Sequence, residues 1–241
     1  FNFLTFIELL VFLTKTFLKV SKIEKNQALT QINKLFKSRD VITEMLETRG
    51  FDLEQYKNFS LNEIEVMFKA TEKKTTAELG SLDMTVVNSL GGKLYVKYLM
   101  ASKLRTSNFK TLIDEMLEVF LKSGDEIIFI LKDTVNNMDT FDSMLEGYLT
   151  VNNVFIQIFS LDNLLFNITK HDLVPKMRII SPEEKASVLE RYSATPSQMP
   201  QILKSDPQAK FLGVRKGDMC EIIRASETAG NSVTYRMCLQ N

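Results

Sequence analysis

Hydrophobic positions recur with two different periods along the first two thirds of the chain. Spacings of three and four residues predict helices, while alternating or continuous apolar runs predict strands. In chain order these elements are a helix over 33–49, a strand over 94–99, a helix over 108–122, a strand over 127–131, a helix over 139–146 and a strand over 154–159. This order favours right-handed crossovers and a small parallel or mixed sheet covered by helices.

Two local signals mark helix ends in this region, and one segment carries little pattern. Gly50 stands where the first helix should stop, and Ser60 with Glu63 forms a capping box that predicts another helix after Ser60. Residues 71–91 are polar and rich in small side chains. We therefore expect a loop there.

The last third of the chain is dense in turn residues. Ser181 and Pro182, followed by two glutamates, predict a helix to about Tyr192, and proline-limited turns leave room for a short helix over 207–212. Alternating stretches over 219–224 and 233–238 flank Gly230 and Asn231, which suits a β-hairpin. These signals predict a small α+β domain after the α/β region.

Composition and charge restrict the function without identifying it. The chain has 241 residues, of which 44% are hydrophobic and 25% charged, so it is long enough for two modest domains. Its formal net charge is zero, which excludes bulk electrostatic binding of nucleic acid and leaves only local basic patches.

The first twenty residues form a strongly apolar stretch. Glu8, Lys15 and Lys19 interrupt it, no cationic segment precedes it, and no small-residue cleavage site follows it. We expect an extra helix docked on a partner or on the body of the protein in preference to a membrane span.

The residue types needed for common active sites are missing or misplaced. Cys220 and Cys238 lie in strand-like stretches without C-x-x-C spacing, which predicts buried reduced thiols and no zinc site. Lys97 in the first predicted strand and Lys132 directly after the second have no carboxylate two positions before them, so a nuclease site is not predicted. The single histidine, His171, is expected to be a hydrogen-bonded structural residue before a turn. No cofactor is predicted.

A series of short motifs carries a family resemblance. In order, they are 169–175 (TKHDLVP), 181–185 (SPEEK), 190–192 (ERY), 197–200 (SQMP), 205–207 (SDP), 212–218 (LGVRKGD), 222–230 (IIRASETAG) and 233–236 (VTYR). This arrangement resembles the assembly domain of the fifth subunit of eukaryotic RNA polymerases, a domain that is similar to the smaller archaeal counterpart of that subunit. Met177, Gln201 and Asn231 depart from the family pattern and remove two cationic positions.

The resemblance implies a domain plan: an apolar extension over 1–30, a jaw domain over 31–166 and an assembly domain over 167–241. The jaw would be similar in fold to restriction endonucleases but would lack a catalytic site. The implied protein is a non-catalytic subunit of a nuclear multisubunit RNA polymerase or, for a viral copy, of an enzyme in the virion or at a cytoplasmic replication site. A free-standing partner-binding module that reuses the C-terminal domain stays open as the alternative.

The resemblance also implies two kinds of contact. The assembly domain would anchor to the largest polymerase subunit, and the jaw would flank downstream double-stranded DNA. The predicted partner-binding residues are His171, Leu173, Val174, Pro175, Arg215, Arg224, Ser226, Glu227, Thr228, Tyr235 and Arg236. The predicted DNA contacts are Lys93, Lys97, Lys103 and Arg105, the densest basic cluster near a strand.

Overall fold

The first helix of the described structure, α1, corresponds to the helix predicted over 33–49. The computed structural model describes residues 29–71, 78–88, 91–100, 106–132, 138–226 and 230–239; the apolar extension therefore lies outside the described residues. Helix α1 covers residues 29–48, buries Leu35, Ile42 and Leu46, and is followed by Gly50 at φ 84°, so the predicted helix and its stop are confirmed. None of the described helices is long and apolar enough to cross a membrane.

A mixed four-stranded sheet follows α1 and a short 3-10 helix at Glu54–Tyr56. Its elements are α2 (Leu61–Thr71), β1 (Met84–Val87), β2 (Lys93–Leu99), α3 (Thr106–Val119), β3 (Glu126–Leu131), α4 (Met138–Asn152) and β4 (Phe155–Ser160). The strand order is β1-β2-β3-β4, with β1 antiparallel to β2 and the other neighbours parallel. The predicted strands and crossover helices are confirmed. The predicted loop over 71–91 is wrong at β1, because a four-residue edge strand is specified by pairing with β2 more than by its own pattern.

Helices cover both faces of this first sheet. On β2, Leu94, Val96 and Tyr98 pack against the side that α1 and α2 cover, while Tyr95 packs with α3 and α4. Both faces of β2 are therefore buried, as is usual for strands in parallel α/β layers.

The last third forms a second four-stranded sheet. Its elements are β5 (Lys176–Ile179), α5 (Pro182–Arg191), β6 (Gln201–Ile202), α6 (Pro207–Leu212), β7 (Met219–Ser226) and β8 (Gly230–Cys238), with short 3-10 helices at Leu161–Leu164, Ile168–Lys170 and Pro196–Gln198. The strand order is β5-β7-β8-β6. The hairpin and both helices are confirmed, including the capping box between Ser181 and Glu184, whereas β5 and β6 escaped prediction.

Helices α5 and α6 cover opposite faces of the second sheet. Val188 of α5 packs with Met219 and Met237 on one face, and Ala209 of α6 packs with Cys220 and Cys238 on the other. Both cysteines are free and buried, as predicted.

We expect neither thiol to react while the protein is folded. Burial raises the pKa of Cys220 to about 12 and also raises the pKa of Cys238, so the reactive thiolate is scarce as well as inaccessible. Iodoacetamide at about pH 8 should label the native protein roughly a hundredfold more slowly than the urea-unfolded protein, as counted by mass spectrometry. Equal labelling rates in the two states would contradict the buried placement.

Arg49 joins the two sheets at the C-terminal end of α6. Its Nε donates to the carbonyl of Phe211 (3.0 Å), and its Nη2 donates to the carbonyl of Lys210 (2.7 Å) and to Gln157 of β4 (2.8 Å). Burial lowers the pKa of this guanidinium to about 10. A cation at the negative end of a helix dipole, bonded to its last carbonyls, is a favourable C-terminal cap.

Candidate docking surface

The far end of the β7–β8 hairpin extends beyond its neighbouring strands. The pairing of β5 with β7 stops at Lys176 and Ile223, and β6 reaches only Met237 and Cys238 of β8. In the described structure, residues 224–226 and 230–232 of the hairpin therefore pair only with each other.

This hairpin end is exposed on both faces. Arg224 and Ala225 of β7 and residues 230–234 of β8 are all exposed. A two-stranded ribbon is marginally stable in water, and its free edges present backbone groups to which another chain can bond. The hairpin end is consequently the part of the described structure best suited to be covered by another molecule.

A cross-strand network supports the root of the hairpin on the α5 face. Arg178, Glu221 and Tyr235 lie opposite one another on β5, β7 and β8. Arg178 donates to Glu221 (2.6 Å) and through two nitrogens to Glu184 of α5 (2.9 and 3.1 Å), and the Tyr235 hydroxyl donates to Glu221 (3.1 Å).

Electrostatics reinforce this network. The carboxylates of Glu184 and Glu221 raise the pKa of Arg178, and the Arg178 guanidinium with the Ser181 amide holds the pKa of Glu184 below its usual value. Burial, followed by the bond to Glu221, raises the pKa of Tyr235. These interactions favour the charged forms of Arg178 and Glu184, and their charge-assisted hydrogen bonds hold the root of the hairpin in one geometry.

Apolar side chains extend the same face toward the hairpin end. Val233 lies opposite Ile223 and is 44% exposed, while Tyr192, at the end of α5, is 54% exposed with its ring 6.3 Å from that of Tyr235. A cavity of about 310 Å³ lies beside them, between α5 and the network. We name Ile223, Val233, Tyr235 and Tyr192 the hairpin face.

The predicted arginines of the hairpin lie on its opposite side. Side chains alternate along a strand, so Arg224 and Arg236 share the face that contains Cys220 and Cys238 and that α6 covers. Arg236 donates a long bond to the carbonyl of Gln201 (3.4 Å), and Arg224 is exposed. The side chain of Ser226 and all of Glu227 and Thr228 lie outside the described residues.

The first predicted motif forms a turn beside the hairpin. His171 accepts a hydrogen bond at Nδ1 from the Leu173 amide (3.2 Å), in agreement with the predicted hydrogen-bonded histidine before a turn. Leu173 is 87% exposed, and Val174 and Pro175 are half-buried. Because Lys176 pairs with Ile223, extending the register by one residue brings Pro175 level with Arg224. The structure thus brings the two principal sequence motifs to one end of the second sheet.

Arg215 lies elsewhere, at the junction between the sheets. Its Nη2 donates to Glu126 of β3 (2.5 Å), and its guanidinium lies over the Phe155 ring, 4.5 Å from the centroid. These contacts are internal to the chain, so Arg215 holds the two sheets together through its ion pair and its cation–π contact.

The structure corrects the prediction at Lys97. This residue is 4% exposed, and its Nζ donates to the Glu78 carbonyl (2.7 Å) and to Asp83 (3.3 Å). The sequence predicted Lys97 as a DNA contact in a basic cluster near a strand, but β1 and β3 pair with the two edges of β2 and helices cover both faces. Lys93 is exposed, and Lys103 and Arg105 lie outside the described residues.

Asp83 is the residue that sequence analysis overlooked beside Lys97. It directly precedes β1, whose pairing of Met84 with Val96 brings Asp83 level with Lys97. One carboxylate oxygen accepts from the Tyr98 amide (2.8 Å) and the other from the Gly80 amide (2.6 Å) and Lys97. Within the described part of the chain, no group of three potential metal ligands converges here or elsewhere. Both oxygens of Asp83 serve structural bonds.

The network around Arg178 was also missed by sequence analysis. Arg178, Glu184 and Glu221 are residue types that are common on protein surfaces, and the position of Tyr192 after a predicted helix does not indicate a contact with Tyr235. Opposite charges on two strands become informative only once the register is known, and β5 has too few residues to predict a register.

Comparisons with known proteins agree on one family. The family model described as "RNA polymerase Rpb5, C-terminal domain" matches residues 166–238. The chain is 28% identical over 208 residues to the "DNA-directed RNA polymerases I, II, and III subunit rpabc1" of Dictyostelium discoideum, covering 86% of this chain and 98% of that protein. The Caenorhabditis elegans protein of the same description is 28% identical over 211 residues, which is 85% of this chain and 95% of that protein. The "DNA-directed RNA polymerase subunit Rpo5" of Pyrococcus horikoshii is 53% identical over 76 residues, covering 32% of this chain and 93% of that protein.

Proposed function

The chain belongs to the family of the fifth subunit of DNA-directed RNA polymerases, and from this premise we propose that it is a non-catalytic subunit of a multisubunit RNA polymerase. Similarity to shared polymerase subunits over more than four fifths of the chain supports this role. The eukaryotic relatives support a nuclear location. On this proposal, the segment 31–166 is the jaw domain and 167–241 the assembly domain.

The assembly domain docks on the largest polymerase subunit through the end of the β7–β8 hairpin. The observation that carries this proposal is the uncovered ribbon, exposed on both faces and supported at its root by the Arg178 network. The hairpin face contributes apolar contact, and Arg224 contributes a charge on the other side. Glu227 and Thr228, between the two strands, and the turn from His171 to Pro175 complete the proposed surface.

A Val233→Asp variant should lose the polymerase while keeping its fold. Val233 is partly exposed in a strand, so a carboxylate there stays in water in the free protein but would be desolvated without a partner in a docked interface. Affinity purification of the tagged protein from its native cells should recover the large polymerase subunits with the wild type. Quantitative mass spectrometry should show at least about a tenfold smaller recovery with the variant.

Val87→Asp is the matched control, because Val87 is also in a strand and is 45% exposed, but belongs to β1 of the first sheet. It should recover the polymerase as the wild type does. Equal recovery with Val233→Asp and Val87→Asp would contradict docking through the hairpin face. Recovery of an unrelated complex by the wild type would favour the free-standing module instead.

The jaw domain, on the same proposal, flanks downstream double-stranded DNA. Lys93, Lys103 and Arg105 remain the proposed phosphate contacts, and Lys97 leaves the set because its ammonium is buried and bonded to Asp83. Contacts of lysine and arginine side chains with phosphate would add affinity without sequence preference.

A further inference from the structure

A second cavity lies between the two sheets, on the side of α4 and β4. Its volume is about 310 Å³, and its walls come from α4, from β4 and from residues 204–214 around α6. Leu145, Leu149 and Ile156 make much of the wall apolar, while the exposed Ser143 and Ser205 mark its opening to the surface. The cavity is at the lower end of the size range of ligand pockets, which suits one anchored side chain better than a complete drug-sized ligand.

Lys210 is the exceptional group in this cavity. It is half-buried, and its Nζ makes no hydrogen bond or ion pair with any residue that the structure describes. Burial lowers the pKa of Lys210, and the charge of Asp142 opposes that effect. The second lysine of the cavity, Lys204, is already paired with Glu146 at 3.3 Å. An ammonium partly removed from water without a close acceptor is destabilising, and an incoming anion would relieve the cost.

The positive charge behind the cavity is larger than the charges on its wall suggest. Arg49 donates to Gln157, which lines the cavity, and its own Nη1 is buried without a hydrogen-bond partner among the described residues. Glu126 and Arg215 act on Arg49 with opposite signs and are paired with each other, so the positive charge of Arg49 remains and adds to that of Lys210, which Asp142 opposes. The combination of an apolar wall and an ammonium without an ion-pair partner in the described part of the chain is complementary to an apolar group that carries a carboxylate.

We propose that this cavity receives an acidic peptide segment of another polymerase subunit, with an apolar side chain inside and a neighbouring carboxylate paired with Lys210. The inference rests on the proposed function, since it takes the occupant from the same complex. The site is separate from the hairpin face: its walls come from α4, β4 and the residues around α6, whereas the hairpin face is formed by β7, β8 and the end of α5. It would give the subunit a second attachment point, at the junction of its two sheets.

Photo-crosslinking in the assembled polymerase tests the inference. A benzophenone amino acid replaces Ser205 at the cavity opening, the polymerase is purified through the tagged subunit, and the crosslinked peptide is identified by mass spectrometry. We expect a crosslink to a segment of another subunit that contains Asp or Glu. Lys210→Gln in the same protein should reduce the crosslink about tenfold, whereas Lys110→Gln, at an exposed lysine of α3, should not change it.

Asp142→Asn provides a test in the opposite direction, because removing the competing carboxylate should strengthen the crosslink. A crosslink confined to this chain, or one to a segment without acidic residues, overturns the inference even when the polymerase is recovered. So does a crosslink that is insensitive to both Lys210→Gln and Asp142→Asn. Failure to recover other polymerase subunits with the unsubstituted protein overturns the proposed function, and this inference with it.

Discussion

Replacing Lys97 with methionine should lower the free energy of unfolding by about 3–5 kcal/mol. The substitution leaves the Asp83 carboxylate buried with only the Gly80 and Tyr98 amides as donors. Removing one member of a buried pair costs more than the pair contributes, because the remaining charge can neither return to water nor find another partner. Urea unfolding followed by far-UV circular dichroism measures the loss, and the absence of tryptophan makes this signal preferable to fluorescence.

Lys93→Met is the matched control, since Lys93 is an exposed lysine of the same strand. It should cost no more than about 0.5 kcal/mol. The double variant Asp83→Asn with Lys97→Met should cost less than the sum of the two single variants, because neither charge is then left alone. If Lys97→Met and Lys93→Met unfold at the same urea concentration, the ion pair between Lys97 and Asp83 is not needed for stability.

Gly213→Ala should cost about 2–4 kcal/mol, more than other glycine substitutions at similar backbone angles. Gly213 ends α6 at φ 73°, and a Cβ there would lie 3.0 Å from Cζ of Arg49. The guanidinium has no room to yield, because it is bonded to Phe211, Lys210 and Gln157. Gly50→Ala is the control that measures backbone strain without a side-chain contact. Gly50 has φ 84°, but nothing lies within 4 Å of the position that its Cβ would take. The expected loss of unfolding free energy is therefore only about 1–2 kcal/mol.

A double-mutant cycle then isolates the Arg49 contact. In an Arg49→Met background, the guanidinium is gone, and Gly213→Ala should cost about as much as Gly50→Ala. Urea midpoints of the four proteins give the coupling free energy. An unchanged cost of Gly213→Ala in that background would mean that the Arg49 guanidinium is not what restricts the site.

Long periodic segments were predictable from the sequence for a physical reason. Helices α1 and α3 bury one continuous stripe each, and β3 is buried on both faces. The spacing of their apolar residues therefore indicates directly which positions are buried and which element they form. The capping boxes at Ser60 and Ser181 are local, because each involves residues three apart. Strand β1 and strand β6 are short and depend on distant partners, and neither carries enough residues for a pattern.

The candidate surface was predictable only in its location along the chain. The motifs around His171 and Arg224 indicated the correct end of the second sheet, yet alternation along β7 and β8 divides the predicted residues between two faces. Arg215 was assigned to an outside partner through the family resemblance, and Lys97 through its place in a basic cluster near a strand. Their actual partners, Glu126 and Asp83, are 89 and 14 residues away in sequence, and only the folded register shows that these charges are already used.

Helix α6 has a consequence for the order in which the chain can fold during synthesis. Its Phe211 is buried in the core of the first sheet, while its Ala209 is buried in the core of the second. A six-residue helix is too short to persist alone, so α6 forms only when both cores are present to hold it. When the first sheet has left the ribosome but residue 211 has not, the nascent chain therefore exposes the apolar surface beside Arg49 that Phe211 later covers. Nascent chains halted at that length should be the ones that chaperones retain, and those extended past β8 should be released.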